Sequence, residues 1–507
     1  MVTNILEYLE NSARKYPNKK AFADLEEFCT YQELVEKAKI IGTELSRCGY
    51  VRKPIPVLMG KSVHAVIAFM GIVYSGCFYT FLDSKQPVSR LKQILQTLEA
   101  KVILVDEALL PEARELEFEG RIICYQEAVQ HEIEEEKLQD IRNQALDIDP
   151  LYTNFTSGST GIPKGVTVSH RSVIDFMNYF TDIFHITEQD IIGNQAPFDF
   201  DVSVKDIYAT LKVGATMEII PRRMFSFPME LLDHLCKREV TTLIWAVSAL
   251  CMITALKGLR YKVPKQLNKI IFSGEVMPIK HLNEWRKYLP NVMYANVYGP
   301  TEITCNCTYY IVDREFTPGD ILPIGRPFPN EHVFLLDEMD QLVDHQEVGK
   351  LGEICISGTA LALGYYNNIE QTSKAFVQNP LNKNYLELIY RTGDLGQYNS
   401  YGELCFTSRK DFQIKHMGHR IELGEIESAM EIVEGVERIC CIYYEEKNKI
   451  IAFYTGLAGK QEIQNEIALR LPNYMLPNVY WQIQTMPLTK NGKIDRKDLM
   501  QQYREKK

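Results

Sequence analysis

Most of what this chain can fold into is constrained by an alternation through its N-terminal half. Stretches with apolar residues at helical spacing, ILEYLENSARKYP from Ile5 and YQELVEKAKIIGTELSRCGY from Tyr31, alternate with short, uniformly apolar runs, PIPVLM from Pro54 and KVILVD from Lys101. Helix-period and buried-strand runs in alternation predict α/β layering with largely parallel sheets, because parallel strands need crossover helices that cover both sheet faces. From about Ile311 the pattern changes. Frequent Gly and Pro turns separate strands such as HVFLLDE and LGEICISG, which predicts a smaller, barrel-like β subdomain. After Thr407-Ser408-Arg409-Lys410-Asp411 comes a compact α+β segment: strand ICCIYYEE, turn KNK, strand IIAFYTG, helix QEIQNEIALRL and a lysine-bearing loop. The expected organisation is a large N-terminal α/β domain, residues 1–409, and a small C-terminal α+β domain, residues 410–507.

Composition removes several classes of function. A chain of 507 residues with 46% hydrophobic content can bury a large core, and Lys+Arg 56 against Asp+Glu 66, with no basic block, argues against nucleic-acid or membrane binding. The longest apolar stretch, Val63 to Phe81, is interrupted by His64, Ser75 and Gly76, and MVTNILEYLE lacks the basic-then-apolar layout of a signal peptide. A soluble, cytoplasmic and monomeric protein is expected. The twelve cysteines form no CxxC pair and no cluster with zinc spacing, and several, including Cys355 and Cys440, lie in β-like runs, so they read as buried free thiols. The acidic run EIEEEKLQDIR around 132–142 reads as a solvated helix.

Chemistry enters at Thr156-Ser157-Gly158-Ser159-Thr160-Gly161-Ile162-Pro163-Lys164-Gly165, which follows the strand-like LYTNF. Glycines that let the backbone approach, with hydroxyl donors between them, suit phosphate binding, and the absence of GxxxxGK[ST] excludes a Walker loop. A flexible surface turn would have the same composition. TSGSTGIPKG resembles the phosphate loop of the superfamily of acyl-CoA synthetases, luciferases and nonribosomal-peptide adenylation domains, and the likeness runs nearly end to end. It implies that Thr156, Ser157, Gly158, Ser159, Thr160 and Lys164 hold ATP phosphates.

Asn296-Val297-Tyr298-Gly299-Pro300-Thr301-Glu302 is similar to the second signature of that superfamily. The resemblance implies that Tyr298 stacks on adenine beside Asn296 and Gly299, Thr301 contacts the α-phosphate, and Glu302 helps to hold Mg²⁺. An aromatic face suits a purine and a carboxylate suits a hard cation. Tyr390-Arg391-Thr392-Gly393-Asp394 resembles the ribose motif, with Asp394 accepting from the ribose hydroxyls and Arg409 also reaching the ribose. Asp411 corresponds to the hinge about which a mobile C-terminal domain rotates, although Ser408 stands where the hinge motif usually begins with glycine. FQIKHMGHRIELGEIE, from Phe412, is similar to the segment that swings in for thiol transfer, with Lys415 and Gly418 on the pantetheine path. LTKNGKIDR, from Leu488, resembles the loop whose lysine, here Lys493, contacts the substrate carboxylate and the α-phosphate; a positioned cation suits charge developing at phosphorus.

Asp201, in PFDFDVSVKD, corresponds to the aspartate that pairs the α-ammonium of the substrate in amino-acid adenylation domains; helix capping from near Val202 is its other reading. Val202, Lys205, Trp245, Ser273, Val297 and Cys305 are the remaining candidates to line the pocket. Lys205 either lines it, attracting a second carboxylate or polar group, or points to solvent. PFDFDVSVKDIY, FSGEVMP, NVYGPTE, RKDFQIKHMGHRIELGEIE, LPNYMLP and LTKNGKIDRK resemble the D-alanine:carrier-protein ligases most. That family tends to have methionine where Lys205 stands, cysteine where Ser273 stands and an apolar residue at Cys305. The resemblance implies an ATP- and Mg²⁺-dependent ligase that makes an aminoacyl-AMP and passes the acyl group to a carrier-protein phosphopantetheine, for cell-wall D-alanylation or for nonribosomal peptide synthesis. An acyl-CoA synthetase and a non-catalytic nucleotide-binding regulator are the alternatives.

Overall fold

The computed structural model describes residues 2–158, 162–317, 319–410, 412–488 and 494–506. The chain forms two compact units. The first comprises Met1–Asp83, Leu98–Asn154 and Gly165–Lys410; the second comprises Ser84–Thr97, Phe155–Lys164 and Asp411–Lys507.

In the first unit the alternation becomes two mainly parallel sheets. The larger sheet has nine strands, with its parallel interior formed by Lys20–Ala23, Thr216–Ile219, Ile191–Asn194, Thr242–Ala246, Lys269–Ser273 and Met293–Tyr298. Strands Phe28–Thr30, Thr308–Ile311 and Arg326–Pro327 add antiparallel edges. The second sheet has seven strands, and Phe78–Leu82, Pro54–Leu58, Val102–Val105 and Arg121–Cys124 pair in parallel within it. Both faces of such sheets are covered, so strands Pro54–Leu58 and Phe78–Leu82 are buried at every position. Helix Tyr31–Ser46 starts where Thr30 and Glu33 form a reciprocal capping box. The apolar stretch from Val63 becomes helix Val63–Tyr74, buried on nearly every side because it lies inside the α/β layers. None of the described helices is long and apolar enough to cross a membrane. The Gly/Pro-rich region forms an antiparallel sheet of six strands, from Glu331–Leu336 to Leu404–Arg409.

The second unit contains the hairpin Gln413–His416/His419–Glu422 and a three-stranded sheet, Val436–Tyr444, Lys449–Gly456 and Val479–Gln482. Helices Leu423–Glu431 and Lys460–Ala468 supply Ile426, Met430, Ile463 and Ile467 to its core. Cys355 and Cys440 are fully buried, and the described cysteines are all free thiols.

Candidate functional site

In the first unit, two groups of polar side chains meet at the end of strand Met293–Tyr298. The first is centred on Asp394, in the long strand Leu388–Tyr398, whose neighbour across the ladder is Arg409. The Tyr298 hydroxyl donates to Asp394 Oδ2 at 2.5 Å, and Arg409 Nη1 donates to Oδ1 while its Nη2 donates to the Thr392 carbonyl. The Asp394 amide is tied to Thr392 Oγ1 at 2.9 Å. Burial, reinforced by the Asp394 charge, pushes the Tyr298 phenol well above its ordinary range, so it remains a donor at neutral pH. Phe406 lies at 6.4 Å from the Tyr298 ring and had not been singled out from sequence.

Beyond Tyr298 the chain turns sharply. A Cβ on Gly299 would lie 2.5 Å from the Asn306 Cα, so only glycine allows the two ends of the turn to meet. The turn carries Thr301 and Glu302, both buried, in the 3-10 segment Thr301–Ile303, and passes through left-handed Thr304 and Cys305. Glu302 Oε1 accepts from the Tyr365 hydroxyl at 2.8 Å, and Asn296 Nδ2 donates to the Pro323 carbonyl. Among the described residues no group of three or more His, Cys, Asp or Glu side chains could hold a metal by itself. A single carboxylate is nevertheless the donor set that suits Mg²⁺ arriving with substrate phosphates, since that ion keeps waters and needs only one or two protein carboxylates.

The same turn closes the second group. Helix Ser203–Val213 directs Lys205 inward, and its Nζ donates to Ser273 Oγ at 3.2 Å and to Asn306 Oδ1 at 2.8 Å. Lys205 is 0% exposed, which corrects the solvent-facing alternative: a helix packed on both sides has no solvent face at that position. Asp201, Val202, Ser273, Val297 and Cys305 are buried with it. Asp201 and Lys205 both act on the Cys305 thiol, whose pKa burial raises and Lys205 opposes. The helix starts after Val202, which places Asp201 one residue before the N-cap position. Nearby, burial raises the Asp206 carboxyl to about 7 and lowers the Lys61 ammonium to about 7. Asn194 donates to Asp206, and Lys61 donates to the carbonyls of Asn194, Gln195 and Ile220.

Trp245 is a correction. Its indole donates to the Gly193 carbonyl at 2.6 Å and stacks edge-on against Phe225. Strand alternation sends Trp245 and its neighbour Phe272 into one hydrophobic cluster, whereas Ile244 and Ile271 enter the other, on the face shared by Ser273 and Val297. Trp245 therefore belongs to the core behind the pocket.

In the second unit the phosphate-loop residues lie against the segment after the hairpin. Ser157 Oγ donates to the Arg420 carbonyl and accepts from the Glu422 amide, and the Gly158 amide donates to Glu425 Oε2 at 3.2 Å. Glu425 also pairs with Arg90 at 2.6 Å, both side chains being almost fully buried. A Cβ on Gly158 would meet the Ile162 carbonyl oxygen at 2.0 Å. Thr156 ends strand Pro150–Thr156 and Lys164 begins strand Lys164–Ser169. Lys415 pairs with Arg420 across the hairpin, whose tip is Met417-Gly418, both with positive φ. Ser159, Thr160, Asp411 and Lys493 lie outside the described residues.

Sequence reasoning missed Asn306, Lys61, Asp206, Arg90 and Glu425 as members of these networks. Asn306 follows the candidate Cys305, and Glu425 lies inside the quoted GEIE run, so proximity to a motif was a usable signal for both. Arg90 carried none.

A family model described as AMP-binding enzyme matches residues 9–366. Zwittermicin A synthase ZmaJ of Bacillus cereus is 33% identical over 98% of this chain and 95% of that protein. Tyrocidine synthase 1 of Brevibacillus parabrevis is 30% identical over 98% of the chain, which spans only 45% of that longer protein. A solved structure of the Vibrio cholerae adenylation domain AlmE, in complex with glycyl-adenosine-5'-phosphate, superposes with a TM-score of 0.86 over 100% of this chain and 98% of that one, at 22% identity, a likeness of fold.

Proposed function

The chain belongs to the AMP-binding, adenylate-forming enzymes, and from that premise we propose that it activates an amino acid as its aminoacyl-AMP and transfers it to the phosphopantetheine thiol of a carrier protein. The observation that carries the reading is the junction at Gly299: one tight turn joins the Tyr298–Asp394–Arg409 network to a buried group containing Asp201. A nucleotide and an amino acid bound to those two groups would share that turn.

Tyr298 offers adenine an aromatic face, and each Asp394 oxygen, already holding one protein donor, retains a lone pair for a ribose hydroxyl. Asp201, a buried carboxylate, pairs the α-ammonium, an interaction that a carboxylic acid without an ammonium does not make. The substrate carboxylate oxygen attacks the α-phosphorus, the bond from that phosphorus to the bridging oxygen breaks, and pyrophosphate leaves. Thr301 and Lys493 stabilise the charge that develops there. Mg²⁺ at Glu302 would neutralise phosphate oxygens. In the second half-reaction the C-terminal domain, 410–507, turns about Asp411 and brings Lys415 and Gly418 forward. The thiol attacks the acyl carbon, loses its proton and expels AMP, leaving an aminoacyl thioester. Relatives named zwittermicin A synthase and tyrocidine synthase 1 favour a nonribosomal peptide pathway as the destination.

Amino-acid-dependent exchange of radiolabelled pyrophosphate into ATP tests the reading. Exchange with an amino acid, lost in Lys493→Ala and Asp201→Ala, is expected. Exchange confined to carboxylic acids without an ammonium, with coenzyme A as acceptor, would replace it by an acyl-CoA synthetase. No exchange with any acid would leave a nucleotide-binding protein without the chemistry.

A further inference from the structure

We infer that Arg496 is a positioning residue for Lys493: it fastens the base of the Lys493 loop to the residue that follows the hinge, so that the two move as one body. The inference rests on the adenylating reading above and deepens it.

The two ends of the loop are held unequally. Leu488 and Ile494 form an antiparallel bridge, and the Asp495 amide donates to the Pro487 carbonyl at 2.9 Å. Beyond that bridge Leu488 is half exposed, whereas Ile494 packs against the cluster of Cys440, Phe453 and Tyr503. Asp495 caps helix Arg496–Glu505 by accepting from the Lys497 and Asp498 amides, both at 3.1 Å. Lys493 directly precedes Ile494 in the chain, so its placement is governed from this C-terminal side.

Arg496 secures that side to three separate elements. Its Nη1 donates to the Cys441 carbonyl, and its Nη2 donates to Glu427 Oε1 at 2.8 Å. Glu427 Oε1 also accepts from the Cys441 amide at 2.7 Å. Strand Val436–Tyr444 is the edge of its three-stranded sheet, so Glu427 and Arg496 give Cys441 the acceptor and donor that a further strand would supply. Helix Arg496–Glu505 is thereby tied to helix Leu423–Glu431 and to the sheet. The face of the same guanidinium lies 4.0 Å from the ring centroid of Phe412, an exposed aromatic residue that directly follows Asp411. A planar guanidinium hydrogen-bonds at its edge while stacking on its face, which an ammonium cannot do.

In the proposed reaction Lys493 must reach the α-phosphate accurately as the C-terminal domain turns about Asp411. A loop held by its closing bridge alone would follow that turn imprecisely. With Phe412 and the loop base joined through Arg496, rotation at the hinge is carried to Lys493 without slack. The Arg496 guanidinium is already engaged by Glu427, the Cys441 carbonyl and Phe412, so its effect on the reaction passes through Lys493.

The test is pyrophosphate exchange with the amino acid that supports it best among the D and L forms of the standard set. The full chain is compared with Arg496→Met, Arg496→Lys, Lys493→Ala and the two double variants, each checked for an intact thermal transition. Arg496→Met should lower kcat by about 10–100-fold, the cost of a small misplacement of a catalytic group, with KM for ATP and amino acid changed by less than about threefold. Arg496→Lys, which keeps the charge without the fork, should fall between Arg496→Met and the parent, and it reads the same coupling if the methionine variant does not fold. In the Lys493→Ala background either substitution should cost less than about a further twofold, because the group it positions is gone. An unchanged kcat in a folded Arg496 variant, or a loss that multiplies in full with that of Lys493→Ala, would overturn the inference and leave amino-acid adenylation standing. Exchange with no amino acid in the parent would overturn the underlying reading, and the inference with it.

Discussion

Arg409→Met isolates the energetics of the candidate nucleotide site. The wild-type pair is nearly closed to water, with Arg409 at 10% and Asp394 at 2% side-chain exposure. Removing one partner of a buried ion pair costs about 3–5 kcal/mol, because the other charge is left uncompensated. The lower end applies here, since the Tyr298 hydroxyl still donates to Asp394 at 2.5 Å and a hydrogen bond to a charged group stabilises by about 1.5–3 kcal/mol. About 3 kcal/mol is therefore expected for Arg409→Met and about 2 for Asp394→Asn, which leaves Arg409 its bond to the Thr392 carbonyl. The double variant should lose about 3 kcal/mol rather than the sum, a coupling of about 2. Urea unfolding without nucleotide, followed by tryptophan fluorescence, reports the change through Trp245 and Trp285, both buried in the first unit. With a slope of about 3 kcal/mol/M the Arg409→Met midpoint should fall by about 1 M. Losses that add to within about 0.5 kcal/mol in the double variant would refute the pair as an energetic unit.

Two further perturbations test buried carboxyls outside the proposed chemistry. Glu331 accepts from the Ala360 amide beside Asp175, and burial raises its carboxyl from an ordinary 4.5 to about 8. The folded state then holds a proton that the unfolded chain has released, so stability is greatest below about 4.5 and falls as pH climbs towards 8; Glu331→Gln should remove that slope and gain about 1–3 kcal/mol at pH 8, measured by thermal melting across pH. Glu425→Gln leaves the buried Arg90 without its counter-charge and should lower stability by about 2–4 kcal/mol, with Arg90→Met/Glu425→Leu recovering much of the loss in the same melts.

The fold was legible wherever local pattern and burial agree. The apolar runs at Pro54 and Lys101 became parallel strands, the helical spacing at Ile5 and Tyr31 became helices Leu6–Lys15 and Tyr31–Ser46, and the Gly/Pro-rich stretch became antiparallel strands. Trp245 misled because sequence shows that a strand alternates but not which face meets the pocket. Lys205 could not be settled because an amphiphilic side chain suits either solvent or a closed interior, and only the packing of its helix decides between them.

By itself, then, the sequence determined the α/β class, the change to a β-rich region and a compact C-terminal segment, and motifs sufficient to point to adenylate-forming enzymes. These properties are carried by residues near one another along the chain, through periodicity, turn chemistry and contiguous signatures. Only the tertiary structure decided that Tyr298 and Arg409 meet on Asp394, that Asn306 and Ser273 close over Lys205, and that Arg90 pairs with Glu425. Those partners are separated by tens to hundreds of residues. Their encounter depends on strand order and on which faces of helices and strands are buried, and no local pattern encodes either.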